Sequence, residues 1–564
     1  MKFFDVLFGR PLASNEAHAE HIGVAAGIPI FGLDGLTSAA YGPEAAMALL
    51  IPLGFWGVQH YLLPIFGFIL SLLVILYLSY RQTIEAYPNG GGSFTVASEN
   101  LGHKAGLLAA AALMIDYILT AAVGLSAGVT ALVSAIPKLH SFQLLICLFI
   151  LLVIAVINMR GVKETGAVFM LPTFLFVGTL LATIFIGVFR TFQTGGHPIA
   201  LAAPPQPNPA DLQAFTPLLM MWLLMKAFSN GCAAMTGVEA VSNGVTAFRE
   251  PRSRNANRTL TVIIFILIIL LFGLSYVARA YGVTAMDPDA GNYQSVLSIE
   301  VAAVFGRGWF YYGTMGAVLA ALSFSVNTAF ADFPRMARAI ALQDYLPHVF
   351  ILKGRRLLFS HGIYALTGFT ALILIMFDGV TDRLIPLYAI GAFLAFTLSQ
   401  AGMVKHWKSL PDAPHRNIKM FINGLGAVAT GISLCIILMT KFLYGAWVTV
   451  LLVPFLIACM VAVKRHYARV KEETADPTPL RLTGLESPIV VIPMARWDKI
   501  TEKAMRFGML MSPVVKVVAV LLPELVVKHW WENLLHNQRV QLLKLLLLLK
   551  GNQRIVVVNI PWYL

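Results

Sequence analysis

The sequence predicts an all-α polytopic membrane protein with twelve transmembrane helices and a small C-terminal α/β unit. Three observations carry that prediction. Hydrophobic residues make up 58% of the chain and charged ones only 12%, against roughly 25% charged in an average soluble domain. Apolar segments recur at the length of about 20 residues that a bilayer crossing needs. Lys and Arg alternate between successive loops in the way that sets membrane orientation. With a mean hydropathy of +0.75, soluble globular, disordered and disulfide-scaffold classes are excluded.

Residues 1–23 read as a polar cytoplasmic leader, with no apolar core of a cleavable signal. His18 and His21 lie there as a weak metal-like pair. The transporter domain is expected over 24–471. Its twelve spans fall near 24–51, 62–80, 105–136, 142–157, 168–189, 216–247, 259–281, 309–333, 361–377, 383–405, 422–440 and 444–463. To residue 471, the loops assigned inside hold 23 Lys and Arg and the outside ones 6. That asymmetry supports twelve spans, with both termini cytoplasmic and the chain multi-pass in the cell membrane, since an odd number would break the alternation. The net charge of +13 then belongs to loops, and no nucleic-acid polymer is expected as a partner. Cys147, Cys232, Cys435 and Cys459 lie in apolar stretches and read as small buried residues, with no structural metal site.

A linker is expected over 472–485, around Asp476-Pro-Thr-Pro479. A cytoplasmic α/β domain follows over 486–564. Its pattern is a strand at 488–493, a helix at 497–511, a strand at 514–522, one or two helices over 525–549 and a strand at 555–560. Strands alternating with helices predict a parallel sheet. Three strands make a small sheet with open edges, so dimerisation is expected. The run Leu542–Leu549 is too short to span a bilayer and reads either as a buried helix that supports the fold or dimer contact or as part of a regulatory ligand domain.

Two spans are interrupted. Span one carries Gly27-Ile-Pro-Ile-Phe-Gly-Leu-Asp-Gly35, and span six carries Ser229-Asn-Gly-Cys-Ala-Ala-Met-Thr-Gly-Val-Glu239. The odd offset of five spans puts them in opposite orientation. That is the pattern of a 5+5 inverted repeat with discontinuous helices at a midplane site. Unwound backbone is tolerated at that depth only where it lines a cavity or meets a ligand.

An acid at mid-bilayer costs about 2.5–3.5 kcal/mol on insertion scales. Asp34 lies at the first break and Glu239 just after the second, so both read as cation ligands and proton-coupling candidates. Asp116 reads as an orienting acid with Lys226 as a candidate partner. Thr120 and Thr236 offer hydroxyls. Tyr41, Tyr117 and Tyr388 stand beside these segments as candidate gates. Carboxylates, hydroxyls and free carbonyls suit a hard cation; an anion would want bare N–H groups. Asn89-Gly-Gly-Gly-Ser93 lacks the lysine of an ATP-binding loop, and no catalytic motif is visible. The chain therefore reads as a secondary-active or channel-like transporter and not an enzyme.

These segments carry a resemblance. Leu33-Asp-Gly-Leu-Thr-Ser-Ala-Ala-Tyr-Gly-Pro-Glu44, Ser79-Tyr-Arg-Gln82, Ala86-Tyr-Pro-Asn-Gly-Gly-Gly92 and Asp116-Tyr-Ile-Leu-Thr120 are four of them. Gly231-Cys-Ala-Ala-Met-Thr-Gly-Val-Glu-Ala240, Leu384-Ile-Pro-Leu-Tyr-Ala389, Phe396-Thr-Leu-Ser-Gln400, His529-Trp-Trp and Leu534-Leu-His-Asn-Gln538 complete the set. The chain resembles the amino acid–polyamine–organocation superfamily, and within it the KUP-type potassium importers of the KimA-like branch. The resemblance implies a LeuT-like fold with broken spans one and six, a dimer through the cytoplasmic domains, and K⁺/H⁺ symport. It implies K⁺ contacts at Asp34, Tyr41, Tyr117, Thr120, Thr236, Glu239 and Tyr388. It also implies control by a cyclic dinucleotide, cyclic di-AMP, in the tail, with no other cofactor. One position departs: Gly124 stands where the resemblance leads us to expect a serine. An amino acid or polyamine permease of the same fold is the alternative, and a flux-less sensor is a third reading.

Overall fold

The computed structural model describes residues 22–90, 92–160, 162–205, 216–287, 293–354, 358–475, 489–494, 499–511, 514–521 and 555–561. The chain divides into two compact units, 1–473 and 474–564. In the first, eleven helices among the described residues are long and apolar enough to cross a membrane. In chain order its apolar helices are α1 (Val24–Ala48), α2 (Ile51–Ala86), α3 (His103–Ala135), α4 (Pro137–Asn158), α5 (Met170–Gln193), α6 (Pro217–Asn243) and α7 (Arg252–Tyr281). They continue with α8 (Trp309–Ala341), α9 (Ser360–Met376), α10 (Ile385–Ser409), α11 (Arg416–Tyr444) and α12 (Ala446–Thr474). Each apolar segment of the sequence falls on one of these helices. The shorter one is α9, whose 17 residues rise about 26 Å at 1.5 Å each. Two short helices, Ser93–Leu101 and Val296–Phe305, sit in the connections before α3 and α8. The leader before residue 22, with His18 and His21, lies outside the described residues.

The helices sort into an inner and an outer set. The apolar stretches of α1 and α3 are 83% and 89% buried, and those of α4 and α12 only 22% each. Inner helices tolerate polar side chains because neighbouring helices supply partners; outer ones must be apolar because lipid supplies none. Apolar sequence therefore does not imply burial here. Cys147 and Cys232 are buried as expected, but Cys435 on α11 and Cys459 on α12 are exposed, on helices whose outer faces read as apolar as their inner ones.

Packing of the inner set depends on small residues. The α3 and α8 pair is the most extensive helix contact, and Gly124 and Gly128 of α3 face Leu322, Ser323 and Ser325 of α8. Along α1, Gly42 faces Ala234 of α6, and the Ser38 hydroxyl donates to the Ala234 carbonyl at 2.8 Å.

The two interruptions differ from one another. Span six is broken as expected. A helix, Pro217–Gly231, tightens to a 3₁₀ turn at Cys232–Met235, and Thr236 is extended. Gly237 then takes a positive φ of 80°, and helix resumes at Ala240–Asn243. Span one corrects the expectation of an unwound gap. It stays helical throughout, widened to a π-helix over Ile28–Gly32 around Pro29. A π turn shifts the hydrogen-bond pattern without abolishing it. The Ile30 carbonyl accepts from the Thr328 hydroxyl of α8 at 3.2 Å. A side chain from the neighbouring helix thus meets backbone that lies at the irregular turn.

In the second unit, strands β1 (Ile489–Met494), β2 (Val514–Leu521) and β3 (Ile555–Pro561) form a parallel sheet in that order. Ile489 pairs with Val514, and Val515 with Ile555. Parallel neighbours need a crossover, and helix α13 (Lys499–Met511) connects β1 to β2. The expected linker and the helices over 525–549 lie largely or wholly outside the described residues.

Candidate functional site

The α6 break positions its side chains against α1, α3 and α10. The Thr236 hydroxyl hydrogen-bonds both the Ala233 carbonyl, at 3.1 Å, and the Tyr388 hydroxyl. Thr120 of α3 donates to the same Tyr388 oxygen at 3.2 Å. Tyr41 lies against Tyr388 and Thr236. Tyr388 reaches this point because α10 is itself irregular at its start. After a 3₁₀ turn at Ile385–Leu387, Tyr388 is extended, and Ala389 adopts a left-handed φ of 77°. A non-glycine residue there costs about 1–2 kcal/mol, which the surrounding helices must offset.

Asp34 sits two residues past the π turn, 5% exposed. Its carboxylate faces Gly237: a Cβ built on that glycine falls 2.4 Å from Asp34 Oδ2. Both the positive φ and the absence of a side chain at 237 are therefore needed to bring the two breaks together.

Glu239 anchors a second group of side chains. Its Oε1 accepts from the Tyr117 hydroxyl at 3.2 Å. Its Oε2 accepts from Ser93 at 3.0 Å and Tyr80 at 3.5 Å. Tyr117 also reaches Asp332 Oδ2 of α8, at 3.5 Å, and accepts from Asn243 Nδ2 at 2.6 Å. Asn243 also donates to Asp332 at 3.3 Å. The Arg335 guanidinium stands 4.0 Å from Asp332 and lies over the Phe31 ring.

All seven residues expected from the sequence are thus buried in two adjoining groups. Asp34, Tyr41, Thr120, Thr236 and Tyr388 form one; Tyr117 and Glu239 belong to the other. Asp116 lies between α3 and α10, beside Gly391. Its expected partner is corrected. Lys226 donates to the Tyr444 hydroxyl at 3.0 Å and lies over the Trp222 and Tyr444 rings. Those aromatic groups sit on the outer side of α6 and on α11, so the lysine points away from the core.

Sequence reading missed Asp332, Arg335, Asn243, Ser93 and Tyr80. Asp332 was legible in part: Thr328, Asp332 and Arg335 recur at helical spacing on one face. The apolar stretch of span eight ends near 333, one residue past this acid, whereas α8 runs on to Ala341. The Gly124 departure also has a spatial counterpart. A Cβ at 124 falls 2.6 Å from the Ser325 Oγ of α8, so a hydroxyl from another helix occupies the place that a side chain on 124 would take.

Four carboxyls, Asp34, Asp116, Glu239 and Asp332, are each no more than 5% exposed and are close enough to interact electrostatically. Among the described residues, one guanidinium, that of Arg335, pairs with the set. Asp116 Oδ1 and Asp332 Oδ1 have no hydrogen-bond partner there. Uncompensated buried carboxylates are too costly to persist, so cations or protons must neutralise them. The donors are all oxygen, which suits a hard cation.

The amino acid permease family matches residues 45–463, and the C-terminal domain of the KimA potassium transporter matches 513–562. The chain is 39% identical over 526 residues to the potassium transporter KimA of Bacillus subtilis (strain 168), covering 91% of this chain and 82% of that protein. A crystal structure of an Eremococcus coleocola manganese transporter bound to an aromatic bis-isothiourea compound aligns at a TM-score of 0.43 and 12% identity, covering 84% of this chain and 99% of that one.

Proposed function

We propose that this chain, which belongs to the amino acid permease family and within it to the relatives of the potassium transporter KimA, imports K⁺ by alternating access around the Asp34–Glu239 region. The cluster of Asp34, Asp116, Glu239 and Asp332, each buried and joined among the described residues by one guanidinium, that of Arg335, carries the reading. The hydroxyls of Tyr41, Tyr117, Thr120, Thr236 and Tyr388 complete an oxygen ligand set in which a K⁺ ion replaces its water. Protons are the proposed coupling ion. A carboxyl vacated by K⁺ cannot stay both bare and charged, so Asp34 and Glu239 take up a proton as the ion leaves.

The proposed topology is twelve spans with both termini in the cytoplasm. It is supported by the 23-to-6 division of Lys and Arg and by α9 as the shorter crossing. Spans one to five and six to ten form the inverted repeat, with α11 and α12 outside it. The tail, over 486–564, serves as the dimerisation and regulatory domain. A cyclic dinucleotide is its proposed effector, on the strength of the KimA C-terminal match.

The test is K⁺ uptake into proteoliposomes with an inward proton gradient imposed or collapsed. Uptake accelerated by the gradient is the expected result. Uptake indifferent to the gradient would remove the proton from the mechanism and keep the site. No K⁺ entry, with saturable uptake of putrescine or spermidine instead, would overturn the reading in favour of a polyamine permease. Asp34→Asn should abolish K⁺ uptake while leaving expression intact.

A further inference from the structure

The geometry points to an outer cation site, separated from the carboxyl cluster by Tyr41, where Glu44 holds one partly dehydrated monovalent cation before it enters the central site. This inference rests on the potassium-import reading and on a feature that reading does not use. A cavity of about 20 Å³ lies at the C-terminal end of α1, and its polar lining is Tyr41, Glu44, Thr130, Tyr293, Ser295 and Thr381. Roughly 10–15 Å³ is enough for one water, and K⁺ is of similar size. The cavity therefore admits a single ion or water and no organic substrate.

The lining chemistry selects the ion. Among the described residues the polar lining is one carboxylate and five hydroxyls, with no nitrogen or sulfur ligand, set against apolar side chains such as Ala127, Leu297, Val318 and Leu322; an all-oxygen set does not suit soft metals. Divalent hard cations generally want several carboxylates; among the described lining residues there is one, Glu44. Glu300, the nearby acid on the short helix Val296–Phe305, is 1% exposed. Burial foremost, and repulsion from Glu44, hold its carboxyl well above the usual range, which favours its protonated form. The Tyr293 hydroxyl donates to Glu44 Oε1 at 2.7 Å and so orients the carboxylate. Thr381 hydrogen-bonds Ser126 at 2.8 Å and Thr130 at 3.3 Å, which fixes the opposite wall.

The position is on the transport path. Glu44 follows Asp34 by ten residues on the same helix, about 15 Å of rise. Tyr41 stands between them, lining the cavity and lying against Thr236 and Tyr388 of the central site. With the N-terminus cytoplasmic, this end of α1 faces outward. A cation held at Glu44 waits where movement of the Tyr41 ring admits it.

The experiment pairs equilibrium dialysis of radiolabelled Rb⁺ on the purified full chain with Rb⁺ uptake in proteoliposomes. Glu44→Gln should bind one equivalent fewer than the wild type and raise the external KM by about tenfold or more, as loss of a nearby unit charge implies. Its maximal rate should fall less. Glu44→Asp, which keeps the charge, should recover part of the affinity. An unchanged equivalent count with an unchanged KM overturns the proposal. If the wild type moves no Rb⁺ but Glu44→Gln still loses one equivalent, the import reading fails and the outer site stands. If Glu44→Gln does not yield folded protein, Thr381→Val takes its place. Removing that hydroxyl should raise KM by a smaller factor, and an absence of change in both readouts overturns the site.

Discussion

Gly237→Ala tests whether the contact between the two interrupted spans sets cation affinity. The new Cβ would lie 2.4 Å from Asp34 Oδ2 and 2.9 Å from both Asp34 Cγ and the Gly35 nitrogen. Ordinary contact begins at 3.4 Å, so the carboxylate oxygen must retreat by 1.0 Å. At an effective dielectric constant near 20, lengthening an ion–carboxylate distance from ~2.8 to ~3.8 Å loses about 1.6 kcal/mol, slightly more than tenfold in affinity. The positive φ of 80° adds backbone strain of about 1–2 kcal/mol for alanine. Gly102→Ala is the control: its φ is +101° and nothing lies within 4 Å of the added carbon. Both variants should lose thermal stability in detergent. Only Gly237→Ala should raise the KM for Rb⁺ uptake by about tenfold or more. Equal KM values for the two variants and the wild type would refute the idea that Asp34 is a ligand held in place by the α6 break.

Four further variants probe the remaining contacts. Tyr117→Phe removes the one hydroxyl that Glu239 and Asp332 share; at about 1 kcal/mol for a net hydrogen bond, uptake should fall severalfold in a flux assay with expression unchanged. Gly124→Ser should destabilise the protein by about 1–3 kcal/mol through overpacking against Ser325, seen as a lower melting temperature. The double change Gly124→Ser with Ser325→Ala should recover most of that loss. Lys226→Met should leave uptake within about twofold of wild type, because its partners are Tyr444 and Trp222 and the exposed contacts it loses are weak; a large loss would restore a role for it beside Asp116.

Asp34 and Glu239 were legible in the sequence because an acid inside an apolar run is conspicuous whatever surrounds it. Thr236 and Gly237 were legible with them, since a Gly-containing polar interruption marks irregular backbone. Asp332 escaped notice because its helix extends further than its apolar stretch. Ser93 was hidden in a Gly-rich loop whose composition says only that the chain turns, although the structure aims its hydroxyl at Glu239 from 146 residues away. Lys226 misled for the opposite reason: a lysine in a span suggests an internal partner, yet a long side chain on an outward face finds aromatic company at the helix surface.

Hydropathy, charge alternation and the placement of glycine and proline are properties of short stretches. The sequence by itself therefore determined the membrane class, the apolar segments, the βα pattern of the tail and the two irregular spans. The tertiary structure decided which oxygens meet. Thr120, Thr236 and Tyr388 converge only because three separate helices pack around small residues. The same holds for the form of each interruption. Pro29 and its flanking glycines allow either a gap or a π turn, and the Thr328 hydroxyl, 298 residues along the chain, meets the Ile30 carbonyl in the π turn that the packed fold adopts. Residues so far apart become neighbours only when helices pack, and no local pattern encodes that pairing.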